Sequence, residues 1–525
     1  MLKTLFLSAA ATAVFGAGAL AGPGMAQGGG RGSATAAAER MLGATAARGG
    51  AAVRVSRLGG ARGGACNNAL GGNIYEVVLS QTPTGWEERF LLGVPLYPES
   101  NAAPLLVGFH QFEVSHFDLC EHTDFFGEAF SRGWFIVTPL GAAQQSFGGL
   151  EAQANTELVL DFCSILPIDR ERIFGVGFST GGGWMTSYAA RHRDPTDQRF
   201  AALVNHTGGV SLTHTYANEL PWDDGCDPPF PGCFGSCGCS QATCDWEVAD
   251  FLEYFYDGPP TRHPFSYLRC SLFELDPVGG VVIDPETDMA GNLLTTPVRT
   301  SYALNDISPV GLYLAAQCLA LEAHLTATLG GLQHTLVGLQ ASQHTWDTLN
   351  EADACDYLAL NAPAPPAGPS TLTADRDGRW EDMTVTQDQP PAPASGAWQG
   401  DWVCGSIESE PGHFTRFDWD VDASNNRFLV TASERLSGLT LHTLDAGLAV
   451  SGGSALSIWQ HRAGGDGVPD ELVLTDFATA PNLVQLRNLT MTDGVDYLWD
   501  ATSQCLILFS RAWPTGNFLD WTITP

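Results

Sequence analysis

Residues 172–183 read Arg-Ile-Phe-Gly-Val-Gly-Phe-Ser-Thr-Gly-Gly-Gly, and no other stretch limits the fold so narrowly. An apolar, strand-like run leads into Gly177-Phe178-Ser179-Thr180-Gly181, a G-x-S-x-G pattern, and a helix-like segment follows. In that context the serine sits on a sharp strand-to-helix turn with its hydroxyl above the sheet. The glycines let the turn, helix and strand approach closely. The N-terminus of the new helix favours negative charge developing beside the serine. Outside that context the five letters would be an ordinary Gly/Ser turn.

The surrounding chain alternates in the way this turn requires. Short β-prone runs fall at 73–80, 88–95, 104–110, 134–140, 172–179, 200–208, 298–305 and 333–339. The first two read as a hairpin with a Pro/Gly turn at 82–85. The later runs are nearly all apolar, as strands buried on both faces are. Helix-like segments at 120–132, 151–166, 181–193 and 309–329 lie between them. The alternation predicts an α/β domain with a mainly parallel sheet covered on both faces. We place it at 66–362, with a Cys-, Pro- and aromatic-rich insertion at 211–264. A Pro/Ala linker at 363–370 marks a boundary and predicts few contacts across it. Residues 371–525 hold β-prone runs at 427–432, 439–444, 471–476 and 505–509, and read as an all-β accessory domain.

The N-terminus directs the chain outward. Lys3 precedes an apolar Ala-rich stretch to Leu20, and Ala19-Leu20-Ala21 offers a small-x-small cut, with a second after Ala26. We read 1–21 as a signal peptide and expect a secreted protein, extracellular or periplasmic, with no membrane partner after cleavage. Residues 22–65 are rich in Gly and Ala and are expected to be a flexible leader. Thirteen cysteines fit an oxidising compartment. Five lie between Cys226 and Cys244, where disulfides are favoured over a zinc site because no paired C-x2-C spacing is present. The formal charge is −33 and Lys3 is the only lysine, so no clustered cations are available for nucleic acid.

A serine hydroxyl needs a base, and the base an orienting acid. On this architecture the chain order is Ser, then Asp or Glu, then His. His344 follows the run at 333–339 in Gln343-His344-Thr345-Trp346, and is the expected base. Two acids compete: Asp306, after the run at 298–305 and 38 residues before His344, and Asp276. Asp306 is preferred, because one helix and one strand fill that gap. An oxyanion hole takes two backbone N–H groups. Thr180 supplies one, and Phe112, or Gln111, the other, after the strand ending in His110. Trp184, Trp222 and Trp346, with Gln111, are candidate walls of a substrate pocket, the tryptophans alternatively core.

These residues resemble the α/β-hydrolase superfamily, and more closely the secreted esterases of the polyhydroxybutyrate-depolymerase and feruloyl-esterase group. The likeness is carried by the strand into His110-Gln111-Phe112, by Pro167-Ile-Asp-Arg before the elbow, by Gly177-Phe-Ser-Thr-Gly-Gly182, and by His344-Thr-Trp346. It departs at Gln111, where the group usually has glycine, and does not extend past Pro363. The resemblance implies hydrolysis of a carboxylic ester by Ser179, His344 and Asp306, with no metal or organic cofactor. A polymer such as a polyester is the expected substrate. Feruloyl or acetyl-xylan esters are the alternative, and an exported peptidase or a non-catalytic polysaccharide-binding relative is the alternative from another class. The insertion is expected to form a lid. Eight of the 14 tryptophans fall after the linker, where they either face a polymer or fill a β core. Gly465-Asp466-Gly467 is read as a turn rather than a calcium loop.

Overall fold

The computed structural model describes residues 31–58, 66, 71–82, 84–194, 197–219, 248–256, 258–276, 281–284, 287–306, 308–328, 334–340, 343–361, 370–381 and 383–387, and, further on, 414–422, 427–432, 436–441, 456–461, 471–474, 480–486, 489–502, 505–509 and 518–524. Nine strands form the main sheet: β1 (Val53–Arg57), β2 (Gly72–Leu79), β3 (Glu88–Pro95), β4 (Ala103–Phe109), β5 (Phe135–Pro139), β6 (Ile168–Phe178), β7 (Ala202–His206), β8 (Val298–Ala303) and β9 (Thr335–Leu339). Their order is β1-β2-β3-β5-β4-β6-β7-β8-β9. The pairs from β1 to β5 along this order are antiparallel, and all pairs from β5 to β9 are parallel. With a nucleophile turn after β6, this is the α/β-hydrolase fold.

Both-face burial explains why the central strands are so apolar. Every residue of β4 is buried. Leu105, Val107 and Phe109 point into one core layer, with Val159, Leu160, Trp184 and Met185. Leu106 points into the other, with Val176, Phe178, Leu119 and Phe126. The period of two along each strand thus feeds two helical layers. The helices are α1 (Arg31–Gly49), α2 (Asp118–His122), α3 (Phe125–Ser131), α4 (Leu150–Cys163), α5 (Thr180–Arg191), α6 (Leu212–Glu219), α7 (Val248–Phe255), α8 (Pro264–Arg269), α9 (Pro309–Ala323) and α10 (Glu351–Leu360). The stretch Val310–Ala327 is long and apolar enough to cross a membrane. Its Leu314, Cys318, Leu321 and Leu325 are buried in this fold.

Two expectations are corrected. Residues 31–57 are not a flexible leader: they form α1 and β1, and β1 pairs with β2. Ala-rich sequence has high helix propensity. Ala38 and Leu42 are buried, and the Thr35 hydroxyl donates to the Pro95 carbonyl at 2.8 Å. Nor is the chain beyond the linker detached. The strand β10 (Ser370–Ala374) runs beside the turn Ala290–Leu293, where Asn292 both donates to the Thr373 carbonyl at 2.8 Å and accepts from its N–H at 2.7 Å. Asp375 is fully buried and accepts from Arg191 at 2.9 Å and from Arg269 at 2.7 Å. Glu381 pairs with Arg193 and Arg199. Charged residues in a Pro-rich neighbourhood look solvated in sequence, and here they are the interface.

The C-terminal strands form three further sheets, mostly antiparallel. A disulfide joins Cys66 to Cys120 at the start of α2, with the Cα atoms 4.5 Å apart. Cys163, Cys318 and Cys355 are buried thiols. The cysteine-rich stretch 226–244, Trp222 and the turn at 465–470 lie outside the described residues.

Candidate active site

The C-terminal ends of the parallel strands face one edge of the sheet, and the sequence-predicted residues gather there. Ser179 follows β6 with φ 55° and ψ −124°, a left-handed conformation that non-glycine residues rarely adopt. The strain is held by hydrogen bonds: its N–H donates to the His206 carbonyl at 3.0 Å, and its carbonyl accepts from Gly182 and Gly209 at 3.0 and 3.2 Å. A Cβ on Gly181 would lie 2.3 Å from the His110 carbonyl oxygen, so only glycine lets α5 begin against the end of β4. That contact brings the serine turn beside the loop carrying Gln111 and Phe112.

His344 follows β9 and its Nε2 lies 2.9 Å from the Ser179 Oγ. Its ring packs on Phe178, centroids 4.6 Å apart. Burial lowers its pKa to about 4, against the opposing pull of the Asp306 charge. Asp306 follows β8 and is buried. Its Oδ1 accepts from the Ser308 N–H at 3.0 Å and from the Ser308 hydroxyl at 2.6 Å. Its Oδ2 and the His344 Nδ1 are both buried with no hydrogen-bond partner among the described residues. A Cβ on Gly311 would lie 2.1 Å from the Asp306 carboxyl carbon, so the first turn of α9 needs glycine to admit the carboxylate. Asp276 is elsewhere: its charge acts on His214, not on His344.

Beside Ser179 opens a cavity of about 180 Å³. Gln111, Phe112 and Thr180 line it at the serine, and Phe147, Leu212 and Leu314 form apolar walls. The Gln111 N–H donates to Asp118 at 3.4 Å, which leaves Phe112 as the loop N–H beside Thr180. Helices α6 and α7 both contribute to the lining, through Leu212, Thr215 and Val248. The described ends of the insertion therefore cover the site, as expected of a lid. Trp184 and Trp346 do not line the cavity; both are core. Trp184 packs edge-on to Phe109 at 4.8 Å, beneath the loop rather than beside it.

Three buried residues were not apparent in the sequence. His206 accepts or donates at Ser301, 2.9 Å, and at Thr348, 2.8 Å, and lies 3.2 Å from the Thr345 carbonyl. Burial lowers its pKa to about 4, so it braces the histidine loop as a neutral ring. Glu88 accepts from the N–H groups of Leu140, Gly141 and Ala142 and from Asn155. Burial raises its carboxyl to about 7 against those donors. Asp118 bonds Trp346 and His122. Each has partners remote in sequence, and no motif flags them.

No family model matches the chain, and no curated protein matches it. Solved structures resemble it in shape. An S-formylglutathione hydrolase from Agrobacterium tumefaciens has TM-score 0.39 and 12% identity, covering 58% of this chain and 99% of its own. An acetyl xylan esterase from Paenibacillus sp. R4 has TM-score 0.37 and 12% identity, covering 65% and 96%. A ferulic acid esterase has TM-score 0.35 and 14% identity, covering 55% and 96%. The strand order and the turn at Ser179, rather than these likenesses, define the fold.

Proposed function

We propose that this protein is a serine hydrolase of carboxylic esters, with Ser179 as nucleophile, His344 as base and Asp306 as orienting acid. The observation that carries it is the 2.9 Å contact between the Ser179 Oγ and the His344 Nε2, on a strained turn facing an apolar cavity. In this reading Ser179 attacks the acyl carbon as His344 takes its proton. The Phe112 and Thr180 N–H groups receive the oxyanion. The intermediate collapses, His344 returns the proton to the leaving alcohol, and water then releases the acid from the acyl-enzyme. Asp306 offers its unpartnered Oδ2 to the imidazolium Nδ1–H that forms. Rates on short p-nitrophenyl esters against peptide anilides test the class; hydrolysis of anilides alone would make it a peptidase.

The finer reading is an exported enzyme acting on a polymer such as a polyester. The signal-like N-terminus and the Cys66–Cys120 bond support export. The tryptophan-rich β region supports a polymer. A panel of hydroxybutyrate oligomers, feruloyl esters and acetylated xylan decides among substrates.

Two predictions arise from the site. The base must be neutral to accept a proton, so activity falls as pH drops through its pKa. With His344 lowered to about 4, kcat/KM should hold to near pH 4, well below the ordinary histidine value of about 6.5. An acid limb centred near 6.5 would contradict the buried environment. Second, Asp306→Asn should lower kcat by on the order of 10⁴, whereas Asp276→Asn should change it less than about threefold. The reverse pattern would move the acid to Asp276.

A further inference from the structure

The histidine loop and the oxyanion loop grow from strands that are not neighbours. Between β4 and β9 stand β6, β7 and β8. Reaction geometry depends on their relative position, and a misplacement of about 1 Å costs roughly 100-fold in rate. Hydrogen bonds within the sheet cannot fix it at that precision, because both loops extend beyond the strand ends. Asp118, in the first turn of α2, lies between them with its side chain wholly buried. Its Oδ2 accepts from the Trp346 indole Nε1 at 2.8 Å and from the Gln111 N–H at 3.4 Å. Its Oδ1 faces the His122 Nδ1 at 3.0 Å. Trp346 stands two residues after His344, and its ring packs on Phe178, centroids 5.1 Å apart. Phe178 directly precedes Ser179 and also contacts the His344 ring.

We infer that Asp118 is a positioning residue that locks the two loops together: one carboxylate oxygen receives a hydrogen bond from each, so the base and the oxyanion donors hold one register around Ser179. The charge suits the task, since hydrogen bonds to a buried carboxylate are short and strong. A carboxylate also offers both oxygens as acceptors. An asparagine offers one, and here both are used. The disulfide at the neighbouring Cys120 anchors the same turn of α2. This inference rests on the catalytic reading above for its effect on rate, but not for its effect on the loops.

The test combines kinetics with hydrogen exchange on the full chain. Trp346→Phe removes the indole donor and keeps a ring against Phe178. On p-nitrophenyl butyrate it should lower kcat about 10- to 100-fold, with KM within about twofold. Amide exchange should quicken at 344–348 and also at 110–113, which the indole reaches only through Asp118. Asp118→Ala should do the same, and the double variant should be no slower than Asp118→Ala within about threefold, because both remove one link. Wild-type kcat in Trp346→Phe, multiplicative losses in the double variant, or unchanged exchange at 110–113 would each overturn the inference. Should Trp346→Phe not fold, Asp118→Asn serves: kcat should fall with KM held, and exchange at 344–348 should rise. A wild-type protein inactive on every ester would sink the esterase reading instead, and the exchange result would still be read.

Discussion

Ser179→Ala is expected to lower ester turnover by on the order of 10⁴ or more while leaving the fold unchanged. The loss is large because the hydroxyl is the only group proposed to bond covalently to the acyl carbon. Residual rate would come from the oxyanion N–H groups and cavity binding alone. The fold is expected to survive because the strained turn is held by backbone bonds. The Ser179 N–H to His206 and the Ser179 carbonyl to Gly182 and Gly209 involve no side-chain atom. Alanine accepts the same φ of 55° at a cost like that of serine. His344→Ala should cost a similar factor, and the double variant no more than either, since the two act as a unit. The measurements are kcat on p-nitrophenyl esters and near-ultraviolet circular dichroism. Retention of more than about 1% of turnover in Ser179→Ala would place the nucleophile elsewhere.

The features legible in the sequence are those with short-range causes. The strands β4 and β6 were visible because burial on both faces makes every residue apolar, a signal contained within seven to eleven residues. Ser179 was visible because its glycines are steric requirements of the same turn. Asp306 and His344 were visible only through chain order. Asp118 left no signature because Trp346, its partner, is 228 residues away. The same holds for His206 and Thr345, 139 residues apart. The helix α1 was missed for a different reason: in an Ala/Gly-rich segment few side chains are large, so its buried Ala38 and Leu42 make no conspicuous stripe. The two pocket tryptophans were misplaced because sequence gives an aromatic side chain no direction.

Asp375 carries the second large expectation, and it reverses what the linker suggested. Its side chain is fully buried, and the Arg191 and Arg269 side chains on it are 3% and 1% exposed. Burial pushes its carboxyl up, but Arg191, Arg269 and Arg376 pull it further down, to well below the usual carboxylate range. Asp375→Ala would leave two guanidinium groups buried with their carboxylate gone. Breaking one buried pair costs about 3–5 kcal/mol, and each kcal/mol moves a domain of this size by roughly 2–4 °C. A drop in Tm on the order of 10 °C is expected. The sign of the pH dependence follows from the depressed carboxyl. Its stabilisation is full above the ordinary aspartate value of 3.8 and fades as pH falls below it. The gap in Tm between wild type and Asp375→Ala should therefore be widest near neutrality and narrow in acid. The consequence reaches the site, because Arg191 also donates to Gln153 at 2.6 Å, and Gln153 to the Gly148 carbonyl at 3.0 Å, next to the cavity wall at Phe147. A chain ending near Pro363 loses Asp375 and Glu381 together, and exposes the surface that β10 and Trp380 cover. It should melt lower still and lose most activity on soluble esters, whereas a chain ending after Gln387 keeps both acids and should retain more of each. Equal melting and equal esterase rates for the full chain and the chain ending near Pro363 would show that these buried ion pairs contribute nothing to the catalytic domain.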